Sequence, residues 1–188
     1  MKDIIQNEFN EHIKTATLLH NLTNSVAISA KICIECLKAG GKILIFGNGG
    51  SAADAQHIAA ELVGRYKTNR KSLPAIALTT DSSVLTSIAN DFGYINVFER
   101  QVQAFAKKGD VAIGISTSGR SKNVINALKA ASSLECKTIG LSGQDCEILN
   151  EICDVNLAIP SNDTPRVQEM HIVIGHTICH LIDDEFKN

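Results

Sequence analysis

The architecture of this chain follows from one stretch, Lys42-Ile43-Leu44-Ile45-Phe46-Gly47-Asn48-Gly49-Gly50-Ser51. Its first half is a short apolar run bounded by glycines, which is typical of a strand covered on both faces of a parallel sheet. A helical pattern from 51 to 66 follows without a linker. A buried strand that runs directly into a helix is the first half of a βα unit, so this stretch predicts an α/β domain.

The alternation of apolar runs and helical patterns continues to the end of the chain. Further strands are predicted at 75–79, 111–116, 137–141 and 154–159, with helices at 83–89, 94–107, 121–133, 146–150 and 163–185. Two more helices, at 4–20 and 25–37, precede the first strand. The pattern predicts a three-layer α/β/α fold with a five-stranded parallel sheet, two N-terminal helices and a long C-terminal helix. We interpret 1–188 as a single domain, divided into N-terminal helices (1–40) and a sheet core with the C-terminal helix (41–188).

Composition excludes several classes of protein. A chain of 188 residues with 44% hydrophobic content suffices for one substantial core. A net charge of −2 with scattered Lys and Arg argues against a nucleic-acid partner. The first residues lack the apolar segment of a secretory signal, and no apolar run approaches the roughly 18 residues of a membrane span. We therefore expect a cytoplasmic protein without a membrane partner.

The chain contains six cysteines, which we expect to be reduced thiols in the cytosol. Cys33-x-x-Cys36 lies inside a helical pattern, which favours cysteines in the core or on a helix surface over a redox or zinc motif.

Two loops at the carboxyl ends of predicted strands have the chemistry of anion sites. In Gly47-Asn48-Gly49-Gly50-Ser51 the glycines allow close backbone approach, and Ser51 is expected to cap the next helix. Ser116-Thr117-Ser118-Gly119-Arg120-Ser121 presents four hydroxyls ahead of a helix. Neither loop has the spacing of an ATP-binding or dinucleotide-binding motif, so we expect a compact anion such as a sugar phosphate and no nucleotide cofactor. Helix capping and turn chemistry alone also explain either loop taken singly.

Four motifs together resemble the phosphoheptose isomerases, a branch of the sugar isomerase (SIS) domain family. They are Gly-Asn-Gly-Gly-Ser at 47–51, Asn90-Asp91-Phe92-Gly93, Gly114-Ile115-Ser116-Thr117-Ser118-Gly119 and Arg166-Val167-Gln168-Glu169-Met170-His171. Their order and spacing match over nearly the whole chain. The resemblance implies a flavodoxin-like strand order and a homotetramer with active sites at subunit interfaces, in which the helices of 1–40 serve oligomerisation.

The resemblance also implies an activity. The chain would convert D-sedoheptulose 7-phosphate to D-glycero-D-manno-heptose 7-phosphate through an enediol, in heptose biosynthesis for lipopolysaccharide or related surface glycans. Two alternatives stay open. One is a non-catalytic SIS protein that binds the replication initiator DnaA, and the other is an isomerase of a different ketose phosphate. The presence of a complete acid/base set favours the enzyme.

The candidate acid/base residues lie on two helices. His57 and Glu61 are four residues apart and share one helix face, a spacing that a solvated surface pair would also show. Isomerisation needs a base at carbon and an acid near the carbonyl oxygen. The resemblance implies that Glu61 is the base, His176 is the acid and Gln168 holds substrate oxygens. It also implies a zinc ion held by His57, Glu61, Gln168 and His176. The two roles of Glu61 compete, because a metal-bound carboxylate is a poorer base.

The resemblance assigns the remaining substrate contacts to the loops. The full predicted set is Asn48, Gly49, Gly50, Ser51, Glu61, Asn90, Asp91, Ser116, Thr117, Ser118, Ser121 and Gln168. Asn90 and Asp91 are predicted in a short loop between helices, where turn chemistry is an alternative explanation.

Several nearby residues have less specific interpretations. His180 repeats the helical spacing of a metal pair with His176, but it lies outside the family pattern and is predicted to be packing or surface. Arg65 is expected to pair with Glu61, to contact the sugar or to lie on the surface. Asp163 is a candidate helix cap or sugar contact. His12, His20 and His171 are predicted to be structural.

Overall fold

The computed structural model describes residues 1–187 and contains one five-stranded parallel sheet. Its strands are β1 (Ile43–Gly47), β2 (Ala75–Ala77), β3 (Val111–Ser116), β4 (Lys137–Ser142) and β5 (Val155–Ala158), in the order β2-β1-β3-β4-β5. This is the flavodoxin-like order, with the direction of winding changing between β1 and β3. Every residue of β1 and β3 is buried, as predicted for strands with both faces covered.

Eight α-helices surround the sheet within the described residues. They are α1 (Lys2–Leu18), α2 (Thr23–Lys38), α3 (Gly50–Val63), α4 (Ser82–Phe92), α5 (Glu99–Phe105), α6 (Lys122–Ser133), α7 (Glu147–Ile152) and α8 (Thr164–Phe186). Helices α2, α3 and α8 contribute to one apolar cluster, and α5, α6 and α7 to a second. Strands β1 and β3 contribute side chains to both clusters, and β4 contributes to the first. The two clusters therefore lie on opposite faces of the sheet, and helices cover both faces. The predicted three-layer fold is confirmed.

Several predicted helices differ from the observed ones at their ends. The helix predicted at 94–107 begins as a 3-10 turn at Tyr94–Asn96 and becomes α-helical only at Glu99–Phe105. Gly93 has a φ of +84°, which turns the chain, and its carbonyl accepts from the Asn96 N–H to tighten that turn. Helix α3 ends at Val63 rather than near residue 66 because Gly64, with a ψ of −105°, leaves the helical conformation.

Close packing of α3 against α8 positions the functional residues. A Cβ built on Gly50 would lie 2.6 Å from Gln168 Nε2, and one on Gly175 would lie 2.7 Å from Ile58 Cδ1. Glycine at both positions therefore lets the neighbouring side chains of the other helix come close. The contacts follow the same order along both helices, so α3 and α8 run in parallel and the residues after Gln168 face those after Gly50.

All six cysteines are free thiols. Cys33 and Cys36 lie on the buried face of α2 and belong to the first apolar cluster, which confirms the interpretation of the CxxC as core cysteines. Burial raises the pKa of the Cys36 thiol to about 11, so it stays protonated and unreactive near neutral pH. Within residues 1–187 no helix is both long enough and apolar enough to cross a membrane.

Candidate active site

The first loop joins β1 to α3 at the carboxyl edge of the sheet. A Cβ on Gly47 would lie 2.8 Å from the Ile115 carbonyl oxygen and 2.8 Å from Ser51 Cβ, so only glycine fits there. Gly49 has a φ of +57° and is the N-cap, so α3 begins at Gly50. The predicted capping role of Ser51 is therefore wrong: the positive φ of Gly49 starts the helix earlier and leaves Ser51 buried in its first turn.

The second loop joins β3 to α6 and concentrates hydroxyl groups. Ser116 Oγ donates to Ser121 Oγ at 3.0 Å, and Ser118 Oγ accepts from the Arg120 N–H at 3.3 Å. Ser121 is the N-cap of α6 as expected, although its side chain bonds Ser116 rather than the helix. Thr117 is half-buried and Ser118 is exposed. Neutral hydroxyls beside the N-terminus of a helix suit a bound phosphate.

A pair of asparagines connects the two loops. Asn48 Nδ2 donates to Asn123 Oδ1 at 2.9 Å, and Asn123 Nδ2 donates back to Asn48 Oδ1 at 2.8 Å. The Tyr94 hydroxyl donates to Asn48 Oδ1 at 3.2 Å. Sequence reasoning missed Asn123 and Tyr94. The available signal for Asn123 was an amide directly before the apolar pair Val124-Ile125 in the first turn of a helix.

Three of the predicted catalytic and metal-binding residues converge. His57 Nε2 lies 3.2 Å from Glu61 Oε1 on the same helix and 3.1 Å from His176 Nε2 on α8. The two imidazole rings meet edge to face, with centroids 4.9 Å apart. One ligand atom from each residue lies within 4.8 Å of the others.

This cluster fits a divalent metal ion in chemistry and in spacing. Imidazole nitrogen and carboxylate oxygen are ordinary zinc ligands, with bonds of about 2.0–2.2 Å in tetrahedral geometry. Such bonds place neighbouring ligand atoms roughly 3.3 Å apart, close to the 3.1 and 3.2 Å seen here. Three protein ligands would leave one position open, which is the pattern of catalytic rather than structural zinc sites.

Gln168 lies at the loop end of the same helix pair. Its amide is the group that a Cβ on Gly50 would touch. Gly50 precedes His57 by seven residues, or roughly 10 Å along the helix axis at 1.5 Å per residue. The position of Gln168 suits a contact to substrate near the first loop, and its role as a metal ligand stays a prediction.

Two aromatic rings and a carboxylate border the cluster. Tyr66 stacks on His176 with ring centroids 5.7 Å apart, and the His180 ring lies 6.0 Å from that of Tyr66. His180 is exposed, which fits the surface alternative of its prediction. Asp54, one turn before His57, was missed by sequence reasoning although the three-residue spacing was visible. Its Oδ2 is buried without a hydrogen-bond partner among residues 1–187. Burial raises the pKa of Asp54, and the opposing effect of His57 and His176 is smaller.

The structure corrects the setting of Asn90 and Asp91. Both lie in the last turn of α4 and not in a loop, because Asp81 caps the start of that helix and Gly93 ends it. They are exposed, and Asn90 Nδ2 donates to Asp91 Oδ1 at 2.8 Å.

Arg65 is exposed beyond the end of α3. Asp163 occupies the N-cap position of α8 without a capping hydrogen bond from its side chain. Of the three histidines predicted to be structural, His12 contacts Glu169, and His171 is buried with Nε2 3.1 Å from the Ser142 carbonyl oxygen. His20 is exposed in the 3-10 turn after α1.

Comparison with known proteins gives consistent results. A family model described as the SIS domain matches residues 8–143. A phosphoheptose isomerase of Aliarcobacter butzleri is 60% identical over 189 residues, covering 100% of both chains. The structure of phosphoheptose isomerase GmhA from Neisseria gonorrhoeae superposes with a TM-score of 0.92 at 43% identity, covering 97% of this chain and 98% of that one.

A further solved structure extends the likeness to lower identity. A phosphoheptose isomerase from Francisella tularensis has a TM-score of 0.93 at 35% identity, with 97% of each chain covered. The match thus includes the N-terminal helices, the sheet and α8 together. The chain belongs to the SIS-domain family and, within it, to the phosphoheptose isomerases.

Proposed function

We propose that this enzyme interconverts D-sedoheptulose 7-phosphate and D-glycero-D-manno-heptose 7-phosphate through an enediol. The observation that carries the proposal is the convergence of Glu61, His57 and His176 at the side of α3, the helix that the first loop begins. One loop-and-helix unit thus offers an anion site at its start, with His57 about two turns and the base Glu61 about three turns later. Such a span suits an extended sugar with phosphate at one end and a carbonyl at the other.

The phosphate is held by the second loop together with the start of α3. The hydroxyls of Ser116, Ser118 and Ser121 are neutral donors, and the N-termini of α3 and α6 supply N–H groups and favourable dipoles. Thr117 adds a further hydroxyl. From the first loop, Asn48, Gly49, Gly50 and Ser51 line the same edge of the sheet. Asn90, Asp91 and Gln168 are proposed to bind the hydroxyls between the two ends of the sugar.

Proton transfer falls to Glu61 and His176. Glu61 directs Oε1 at His57 Nε2, which leaves Oε2 as a second carboxylate oxygen to take the proton from carbon. His176 is proposed to donate to the carbonyl oxygen as the enediol forms, which requires a ring nitrogen that carries a proton and is not bound to a metal. A Glu61 that used Oε1 as a metal ligand would keep Oε2 for the substrate proton, so its two predicted roles are compatible.

We further propose one zinc ion per subunit, with His57, Glu61 and His176 as ligands. Gln168, the fourth residue of the predicted set, lies at the loop end of α3 and α8, where a substrate contact suits it better. When bound, the ion would act as a Lewis acid on the substrate carbonyl. No nucleotide cofactor is needed, because the isomerisation moves hydrogen between C1, C2 and their oxygens within one sugar and causes no net oxidation or reduction.

The proposed assembly is a homotetramer with active sites at subunit interfaces, formed by one SIS domain per chain spanning 1–188. Helix α1 supports an interface role because a row of its large apolar side chains is exposed in the single chain: Ile4, Ile5, Phe9, Ile13 and Leu18. Covering such a row with a second copy would remove it from water. We place the reaction in the cytoplasm, where it would supply heptose for lipopolysaccharide or related surface glycans.

The proposal is tested by NMR in D₂O with sedoheptulose 7-phosphate as substrate. We expect deuterium at C1 and C2 of the sugars together with product formation, and loss of both on treatment with a chelator. Glu61→Gln should lower kcat by about 10²–10⁴-fold with substrate binding retained, because the general base is lost.

His180→Gln is the matched control, since His180 lies on the same helix but outside the cluster. It should keep wild-type turnover. Full activity in Glu61→Gln would overturn the mechanism. A metal-loaded protein that showed no exchange and bound DnaA would instead be the non-catalytic SIS protein.

A further inference from the structure

A fully buried ion pair lies directly behind the proposed catalytic residues. Arg70 Nε donates to Asp183 Oδ1 at 2.9 Å, and both side chains have 0% exposed area. Asp183 Oδ2 accepts from the Lys67 N–H at 3.1 Å, from the Thr68 N–H at 2.6 Å and from Thr68 Oγ1 at 2.8 Å. The carboxylate is thus saturated with donors from the segment that follows α3.

The arginine of this pair holds the end of α3. Arg70 Nη2 donates to the carbonyl oxygen of Glu61 at 2.8 Å, and Nη1 donates to that of Leu62 at 2.9 Å. Carbonyls in the last turn of a helix lack partners within the helix, and a cation there also complements the helix dipole. Arg70 therefore bonds the backbone of the same residue whose side chain faces His57.

The aspartate ties that helix end to α8. Asp183 follows His176 by seven residues, which is close to two helical turns, so both side chains point to the face of α8 that packs on α3. A chain of contacts runs from Glu61 through Arg70 to Asp183 and along α8 to His176. An axial slip of α3 against α8 would break these bonds and would move Glu61 relative to His176 by the same distance.

Stability alone is a weak reason for such a pair. Desolvating two charges offsets most of their attraction, and replacing a buried ion pair with uncharged groups of similar size is often neutral. Misplacing a reacting group by about 1 Å, in contrast, can lower a rate by roughly 10²-fold.

We propose that Arg70 and Asp183 are positioning residues that set the place of Glu61 against His57 and His176. The inference rests on the proposed function for its effect on turnover, but the placement itself can be measured without activity. The decisive variant is the double substitution Arg70→Met/Asp183→Asn, which removes both charges while Asn retains an acceptor for the loop. Its matched control is Lys42→Met/Asp110→Asn, which removes the largely buried pair between the residues that precede β1 and β3.

For the Arg70 and Asp183 double variant we expect kcat to fall by roughly 10–100-fold with KM within about twofold, because Arg70 bonds the last turn of α3 and the proposed phosphate site lies at its first turn and on the second loop. Zinc affinity, measured by chelator competition, should fall by roughly 10–100-fold. In the metal-free protein the ring resonances of His57 and His176 should shift. The control should leave all three readouts at wild-type values. Arg70→Lys, which keeps the charge but cannot bond both carbonyls, should show the same changes if the double variant does not fold.

A folded variant with wild-type kcat, zinc affinity and histidine resonances would overturn the inference. So would equal changes in the control, because they would reflect lost stability alone. If the wild-type protein turned over no sugar phosphate, the proposed function would fail, while zinc affinity and the histidine resonances would still decide whether Arg70 and Asp183 position the cluster.

Discussion

The two edges of the parallel sheet treat polar groups in opposite ways. At the amino edge, Asp110 accepts from the Lys42 N–H at 2.9 Å and the Lys107 N–H at 2.7 Å and also pairs with Lys42 Nζ. At the carboxyl edge, the Ser118 side chain is exposed, and Asp54 Oδ2 has no partner within residues 1–187. At the amino edge these polar groups bond one another and stabilise the fold. At the carboxyl edge the side chains of Ser118 and Asp54 keep polar atoms that a ligand can bond.

A carboxylate from each edge shows the same difference in its protonation. Asp154, at the amino end of β5, is partly buried, which by itself would raise its pKa, but bonds from Lys137 and Thr138 lower the pKa overall. Burial raises the pKa of Asp54, and no hydrogen bond offsets it. A carboxylate whose oxygens accept hydrogen bonds stabilises the folded chain. A carboxylate without such donors can change its protonation when a substrate or metal binds nearby.

The largest effect on this comparison is expected from removing the hydrogen-bonded charge of Asp110 at the amino edge. Asp110→Asn should lower the free energy of unfolding by about 3 kcal/mol, because it leaves Lys42 without its buried partner. Urea unfolding measures this loss, and kcat should stay at the wild-type value below the transition. A large loss of kcat in the folded variant would mean that the amino edge also serves the reaction.

His171 sharpens the comparison because it is a buried group near the carboxyl edge that bonds through one ring nitrogen: Nε2 lies against the Ser142 carbonyl, and Nδ1 has no partner within residues 1–187. Burial lowers its pKa from 6.5 to about 4, and the bond to the Ser142 carbonyl opposes this only in part. Between those values the unfolded chain binds the proton and the folded chain does not, so stability falls as the pH falls through this window. We expect a loss of about 2 kcal/mol at pH 5 relative to pH 7.

His171→Gln provides the control for that pH dependence. Its amide can donate to the Ser142 carbonyl but does not titrate, so the difference between the two proteins isolates this imidazole. Urea unfolding at pH 7 and pH 5 makes the comparison. An unchanged pH dependence in the variant would show that other groups cause it.

The smallest expected effect comes from removing the exposed hydroxyl of Ser118 in the second loop. Ser118→Ala should raise KM by about tenfold, the value of one hydrogen bond to a phosphate oxygen, with the free energy of unfolding unchanged. Ser133→Ala is the matched control, because Ser133 Oγ bonds only the Lys129 carbonyl within α6. Steady-state kinetics and urea unfolding of both variants test this. Loss of stability in Ser118→Ala with an unchanged KM would mean that this hydroxyl stabilises the fold and does not bind substrate.

Local patterns predicted the parts of this molecule that depend on neighbours in the chain. The apolar run at 42–47 predicted β1, the glycines after it predicted a loop with close backbone approach, and the spacing of His57 and Glu61 predicted a shared helix face. These features follow from strand and helix periodicity and from the absence of a side chain on glycine. The family likeness added His176, which lies 119 residues from His57 and which periodicity cannot relate to it.

Of the remaining features, two are local details that the pattern misplaced, and the others depend on contacts between distant segments. Ser51 loses its capping role because Gly49 turns first, and Asn90 belongs to α4 because the helix continues to Gly93. The bonds of Arg70 to α3 and to Asp183 join segments up to 113 residues apart. The local sequence determines which groups are able to form hydrogen bonds. Burial and the packing of α3 on α8 determine their partners, because a polar group removed from water bonds the partner that the fold brings within reach.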